Sequence, residues 1–430
     1  MSSRFKKPRT FDRHARAVSS SKTPAWPYNP AVFHPRINLS STPQRTEAGE
    51  PWVTGFLQSV CTLRCDAATL QCTAHVGSSI LRQWDDPLQA LRWMSQTVWP
   101  GRGRWIGYLS YDAGRLFENL PAAAVDDLHL PLFVFTYCRP ASDPSPAADP
   151  AYGASDAPLT SNFTRDGYQS AVRRAIDYIA AGDIFQVNLS QRFTCGLAIH
   201  PSMVYQRLVL QTPACYGAYL GYQDFAIVSN SPELFLHVTP DRRVITRPIK
   251  GTRPRRAGMD VALRDSIKDQ AELNMIVDLE RNDLGRVCRI GSVKVTQPRV
   301  IEEHPTVYHG VATVEGVLRD DVGFVDLLAA TFPGGSVTGA PKIRAMQIID
   351  ELEGVRRGPY CGAIGYLDAD GSIQFNLAIR TMIVKDGLVR IPVGGGIVAD
   401  SDPAEEYEET LVKARAMFAA LGIEQTAVLE

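Results

Sequence analysis

Arg247-Pro248-Ile249-Lys250-Gly251-Thr252 follows the β-prone run Val244-Ile245, and this strand end sets how the chain is read. Proline fixes φ and removes a donor, while glycine permits close backbone approach. A lysine held between them can point into a cleft. Removed from water, it loses proton affinity and its free amine becomes a usable nucleophile. The same residues also suit a surface lysine in a basic turn, because Arg253, Arg255 and Arg256 follow. The flanking chain has to decide.

The 430 residues are 45% hydrophobic and 21% charged, an ordinary globular composition. Lys+Arg 45 against Asp+Glu 46 leaves a net charge of −1, which gives no global argument for nucleic acid or an anionic membrane. An electropositive site must be local. No apolar run is long enough for a transmembrane helix. The eight cysteines lack CxxC spacing, so reduced, buried thiols in a cytoplasmic protein are expected rather than zinc at Cys61, Cys65, Cys72 and His75. Residues 1–46 are basic and poor in acids, without a secretory h-region, and are expected to be a disordered extension. Short apolar runs define an N-terminal subdomain over 47–138. The Pro/Ala/Asp-rich 139–160 reads as a linker or surface loop, and 161–425 as the main domain.

Working outward from the lysine, Thr164 caps a helix with Tyr168, Val172, Ile176 and Ile179 inward, stopped by Gly182. The strand from Asp183 to Phe193 puts Gln186, Asn188, Ser190 and Arg192 on one face, toward either solvent or a polar cavity. Glu233 lies between Pro232 and an apolar run, as either a turn residue or a partly buried general acid. A helix from Asp265 to about Leu284 turns Ile267, Leu273, Ile276, Val277 and Leu279 inward, with Glu272 among its charges. His309 sits on a strand, where histidines are commonly structural. Phe332–Lys342, rich in Gly with Ser336 and Thr338, precedes a helix and offers backbone donors to a carboxylate or single phosphate. It lacks Walker spacing. Tyr360–Leu367 and Gln374–Thr381 read as a hairpin about Asp368–Gly371, and Leu388–Val393 as a strand ending in Gly394-Gly395-Gly396. Asp402, Pro403 and Glu405 form a capping box for the last helix. On that helix Glu406, Glu409 and Lys413 share a face, as a Mg²⁺ site or an acidic first turn.

Taken together, these motifs resemble the chorismate-utilising enzymes. The resemblance is carried by Ser229–Leu234, Arg247–Thr252, Lys268–Glu272, Val277–Arg286, Phe332–Lys342, Asn376–Thr381 and Gly394–Thr410, in family order over roughly residues 165–420. Phe56-Leu57-Gln58-Ser59 resembles the family's amino-terminal region only weakly. The resemblance implies an α/β (α+β) fold of two facing antiparallel sheets in a sandwich-like core, with helices outside. Water-adding members carry lysine where this chain has Gln186, so glutamine is similar to the ammonia-using branch. Anthranilate-forming members carry Pro-Ile-Ala-Gly-Thr, so Lys250 resembles the branch that aminates chorismate at C4 toward 4-aminobenzoate and folate.

The roles implied by this resemblance are these. Lys250 is the nucleophile, Glu233 the general acid, and His309 stabilises charge beside the ring. Glu272 and Glu409, with Glu406 nearby, hold Mg²⁺. Gln186, Ser336, Thr338, Gly339, Tyr360, Arg380, Gly394, Gly395 and Lys413 contribute to substrate binding, with Arg380 and Tyr360 on the enolpyruvyl carboxylate. No Gly-x-Cys-x-Gly run is present, so ammonia is expected from a separate glutaminase subunit. Tryptophan can occupy the N-terminal region's pocket in relatives. The rival readings are an anthranilate-forming enzyme and a non-catalytic chorismate-binding regulatory subunit.

Overall fold

A computed structural model describes residues 36–40, 57–97, 99, 103–121, 123–140 and 152–423. Two antiparallel sheets organise them. In spatial order the first contains Arg36–Ser40, Tyr216–Gly221, Phe225–Ser231, Thr381–Lys385, Leu388–Ile397, Gln186–Gly196 and Gly339–Ala340. The second begins with Ile249–Pro254, Val307–Val317, Arg243–Arg247, Leu234–Val238, Ile373–Leu377 and Ala363–Asp368. It continues through Arg104–Leu109, Phe133–Pro140, Leu57–Cys65, Cys72–Val76 and Ser79–Trp84. One core joins Leu39, Tyr216, Leu220 and Ile227 of the first sheet to Ile106, Tyr108, Ile245 and Ile364 of the second. The expected facing sheets with outer helices are therefore present. Strands of the N-terminal region continue directly into the second sheet, where Arg104–Leu109 pairs with Ala363–Asp368. Arg36–Ser40, inside the stretch expected to be a tail, is a strand against Tyr216–Gly221; the rest of 1–46 lies outside the described residues.

Local chemistry accounts for the elements that frame the site. Thr164 accepts from the Gly167 amide and starts the helix Arg165–Ala180, and Gly182 (φ 82°) ends its turn. Tyr168, Ala171, Val172 and Ala175 form its buried stripe, while Ile176 and Ile179 are half-buried. Asp402 accepts from the Ala404 and Glu405 amides to start Pro403–Leu421. Three readings need correction. Ile267 is exposed, because the helix Ile267–Gly285 begins there, capped by Ser266, before it reaches the core. Tyr360 precedes its strand, which begins at Ala363. Gly394-Gly395-Gly396 does not end a strand but continues it to Ile397, paired with Ser190, Leu189 and Asn188. The helices Pro201–Gln211 and Met259–Arg264 had no counterpart in the sequence reading.

Gln186 and Ser190 are buried and Asn188 and Arg192 half-buried, so this strand does not present its polar face to open solvent. Gly339–Ala340 pairs over its start, and an ion pair fixes the covering loop. Arg357 donates from Nε (2.9 Å) and Nη2 (2.6 Å) to Glu353. It also donates to the carbonyls of Val337 (2.8 Å) and Asn188 (2.7 Å), and Glu353 accepts from the Ser190 amide (2.7 Å). Both side chains are fully buried. Arg357→Met leaves Glu353 as an uncompensated buried charge and is expected to lower unfolding free energy by about 3–5 kcal/mol. Arg289→Met, at an exposed pair with Asp320, is expected to stay within about 1 kcal/mol. Urea unfolding of the two variants beside wild type checks the contrast.

Candidate active site

Lys250 lies on Ile249–Pro254 where register shifts between Ile249 and Thr252, so a bulge sets its direction. Gly251 has φ 82°, and a Cβ there would lie 2.7 Å from Leu263 and 2.8 Å from Asp269. Glycine alone fits that bend. The lysine side chain is buried, and burial pulls its pKa below the ordinary value while Glu272 and Glu233 pull the other way. Its basic-turn alternative is thereby excluded: Arg253 and Arg255 form their own ion pairs with Asp269 and Glu303.

Glu233 follows Phe225–Ser231, its amide held by the Ser231 hydroxyl at 3.2 Å. Oε1 accepts from the Ile249 amide at 3.3 Å. Burial raises its pKa to about 7, against the opposing Ser336 hydroxyl and Lys250 charge. An acid that keeps its proton near neutrality thus stands beside an amine that tends to lose one.

The glycine run makes room for the remaining charges. A Cβ on Gly395 would lie 3.2 Å from Glu406, 3.4 Å from Glu409 and 3.5 Å from Lys413. One on Gly396 would lie 2.1 Å from Gln186 Nε2 and 3.5 Å from Lys250 Nζ. Gln186 Oε1 is buried and accepts no hydrogen bond among the described residues. Lys413 bridges Glu409 (2.5 Å) and the Gly394 carbonyl (2.8 Å), and Ser401 donates to Glu406 (2.6 Å). Lys413 holds Glu409 below the usual carboxylate pKa; burial raises those of Glu406 and Glu272, and the Glu409 charge adds to each.

No three acidic, histidine or cysteine groups among the described residues close into a metal cage. Mg²⁺ keeps several waters and takes one or two carboxylates together with substrate. Half-buried Glu272 and buried Glu406, each repelled by the exposed Glu409, fit with it that requirement without a closed cage.

Arg380 is half-buried, in a left-handed backbone (φ 52°), and donates to the Lys413 carbonyl. No carboxylate pairs with its guanidinium among the described residues, and buried Tyr360 lies within its electrostatic reach. A half-buried guanidinium without a carboxylate partner suits a substrate carboxylate. Nδ1 of buried His309 lies 2.9 Å from Thr252 Oγ1, within hydrogen-bond distance. The Thr338 hydroxyl donates to the Gly334 and Gly335 carbonyls, so it shapes the loop from within. Gly339 (φ 147°) packs against Gln186, where a Cβ would lie 2.1 Å from the Gln186 carbonyl. Arg357 and Glu353, which fix this loop, escaped the sequence reading. Their only signal was an opposite-charge spacing typical of solvated helices.

Residues 55–419 match the family model of the chorismate binding enzyme. The chain is 42% identical to anthranilate synthase component 1 of Thermus thermophilus over 75% of this chain and 78% of that one. It is 38% identical to aminodeoxychorismate synthase component 1 of Bacillus subtilis, over 82% and 86%. The solved anthranilate synthase component I of Streptococcus pneumoniae superposes with TM-score 0.71 at 29% identity, covering 93% of this chain and 95% of that one. The two sequence relatives carry different synthase names at similar identity, so identity does not choose between them.

Gly396→Ala inserts a methyl group where Gln186 and Lys250 meet. It is expected to fold and lose about 100-fold in turnover, as for an ångström-scale misplacement, checked by circular dichroism beside chorismate consumption. Glu233 supplies a second test. Its raised pKa means that the folded state holds the proton more tightly than the unfolded chain. That stabilisation is complete below the ordinary value of 4.5 and is lost as pH rises through about 7. Glu233→Gln should therefore lose less stability than wild type between about pH 5 and about pH 8, measured by denaturant unfolding.

Proposed function

The chain belongs to the chorismate-binding enzyme family, and from that premise we propose that it aminates chorismate at C4, as an aminodeoxychorismate synthase component I. The observation that carries the choice is Lys250, a buried lysine beside Glu233 where the anthranilate-forming branch has alanine. Sequence identity alone leaves anthranilate formation as the rival, since the Thermus thermophilus relative is an anthranilate synthase component 1.

Arg380, with Tyr360 beside it, receives the enolpyruvyl carboxylate. Lys250 Nζ forms a bond to ring C2 as both ring double bonds shift along the diene and the C4–O bond breaks. Glu233 delivers its proton to the departing hydroxyl, which leaves as water. Ammonia then attacks C4, both ring double bonds shift back and the C2–Nζ bond breaks. The proton lost by the incoming nitrogen returns to the Glu233 carboxylate, and Lys250 is regenerated as amine. Two displacements replace a single difficult one. The buried, unpartnered Gln186 Oε1 is suited to accept a hydrogen bond from ammonia near that position. Glu272, Glu406 and Glu409 would hold Mg²⁺, which when bound neutralises and orients the ring carboxylate. Lys413 steadies Glu409 from the same helix. Ammonia comes from a separate glutaminase subunit, and tryptophan would occupy the N-terminal region as effector or structural ligand.

The test is mass-resolved product analysis with chorismate, Mg²⁺ and an ammonium salt at alkaline pH, for wild type and Lys250→Ala. Aminodeoxychorismate from wild type and a loss of at least about 100-fold in the variant are expected. Anthranilate as the product would transfer the chain to the rival reading.

A further inference from the structure

His309 is held by more than its own strand. Thr252 Oγ1 lies 2.9 Å from its Nδ1 and forms no other side-chain hydrogen bond among the described residues. Thr252 and His309 are also direct register partners between Ile249–Pro254 and Val307–Val317. The placement of the threonine is thus fixed by the sheet and by the bulge that aims Lys250, two residues earlier. On the other side the His304 ring meets His309 edge to face, with centroids 4.9 Å apart. His304 is itself framed by Cys215 Sγ (3.9 Å from Nδ1) and Glu302 (3.6 Å from Nε2), and Glu302 also pairs with Arg247. Burial opposes charge on His304, but the Cys215 and Glu302 contacts overcome it and raise its pKa to about 9. For His309, burial first, and then the His304 and Arg380 charges, push the pKa down to about 3. The His309 ring is therefore neutral at working pH, and only its tautomer remains to be set.

Thr252 itself is exposed, but His309 is buried, and the Thr252 hydroxyl is the donor placed for the unprotonated nitrogen of its neutral ring. We propose that Thr252 is a positioning residue that fixes His309 in one neutral tautomer, its hydroxyl donating to Nδ1 so that Nε2–H is presented to the substrate. This rests on the reading that His309 faces the chorismate ring. With Nε2–H as donor, His309 stabilises negative charge that builds on the substrate as Lys250 adds. The reversed tautomer would present a lone pair to the same atoms. The bulged strand Ile249–Pro254 thereby carries both the nucleophile and the group that orients its electrostatic partner.

The experiment uses full-length protein with ¹⁵N-labelled histidine, and His309→Gln assigns the resonance. Wild type should show His309 neutral, with protonated Nε2 and unprotonated Nδ1. Thr252→Val, close in shape, should mix the tautomers and lower kcat for chorismate consumption by about ten-fold or more, leaving KM within about two-fold. Thr252→Ser keeps the hydroxyl and should restore both readouts, which also guards against misfolding of the valine variant. In a His309→Gln background, Thr252→Val should add no further loss. A wild-type Nδ1–H tautomer, an unchanged tautomer in Thr252→Val, or equal losses in both backgrounds would each overturn the assignment to Thr252. Full turnover by His309→Gln would instead overturn the reading that His309 serves the substrate. Anthranilate as product would alter the reaction without touching the tautomer result.

Discussion

The buried ion pair of Arg357 and Glu353 is the constraint on which the site's geometry depends. One guanidinium binds Glu353, the Val337 carbonyl and the Asn188 carbonyl, while Glu353 takes the Ser190 amide. Burying such a pair is not in itself a large source of stability, because desolvation offsets most of the attraction. Its effect is positional. It ties the turn before Gly339 to the strand that carries Gln186 and Ser190, and this loop bears the Ser336 hydroxyl that faces Glu233. A loop held only by apolar contacts could slide by fractions of an ångström. Five directed hydrogen bonds onto buried groups resist that slide.

Inside this frame the chemistry follows from desolvation with few neighbours. Lys250 and Glu233 are both buried, and burial disfavours the charged form of each. Their mutual attraction works in the opposite direction, so neither group is driven to an extreme. An amine prone to lose its proton and a carboxyl that retains one near neutrality are what a covalent amination needs at the same moment. The Gly394–Gly396 run is the geometric counterpart. Side chains missing at Gly395 leave room for Glu406, Glu409 and Lys413, and at Gly396 for Gln186 and Lys250.

Much of this was legible where chemistry is local. Thr164 and Asp402 cap the helices their sequences announce, and the Asp368–Gly371 turn joins the expected hairpin. The residues singled out around Lys250 and Glu233 do meet, because the motifs around them encode tight turns and bulges. What escaped the reading depends on long-range contacts. The polar face beginning at Gln186 looked better suited to solvent by periodicity alone, whereas a loop about 150 residues later closes over it. Arg357 and Glu353 looked like ordinary surface charges for the same reason. Gly394–Gly396 looked like a strand end because glycine weakens isolated strands, whereas pairing with Asn188–Ser190 extends this one.

The central claim is that Lys250 bonds covalently to substrate, and the most direct measurement is peptide-resolved mass spectrometry of the protein with chorismate and Mg²⁺ in the absence of ammonia. The account predicts an adduct equal to chorismate less one water, confined to the peptide bearing Lys250 and absent in Lys250→Ala. An unmodified Lys250 under conditions where added ammonium salt supports turnover would contradict it.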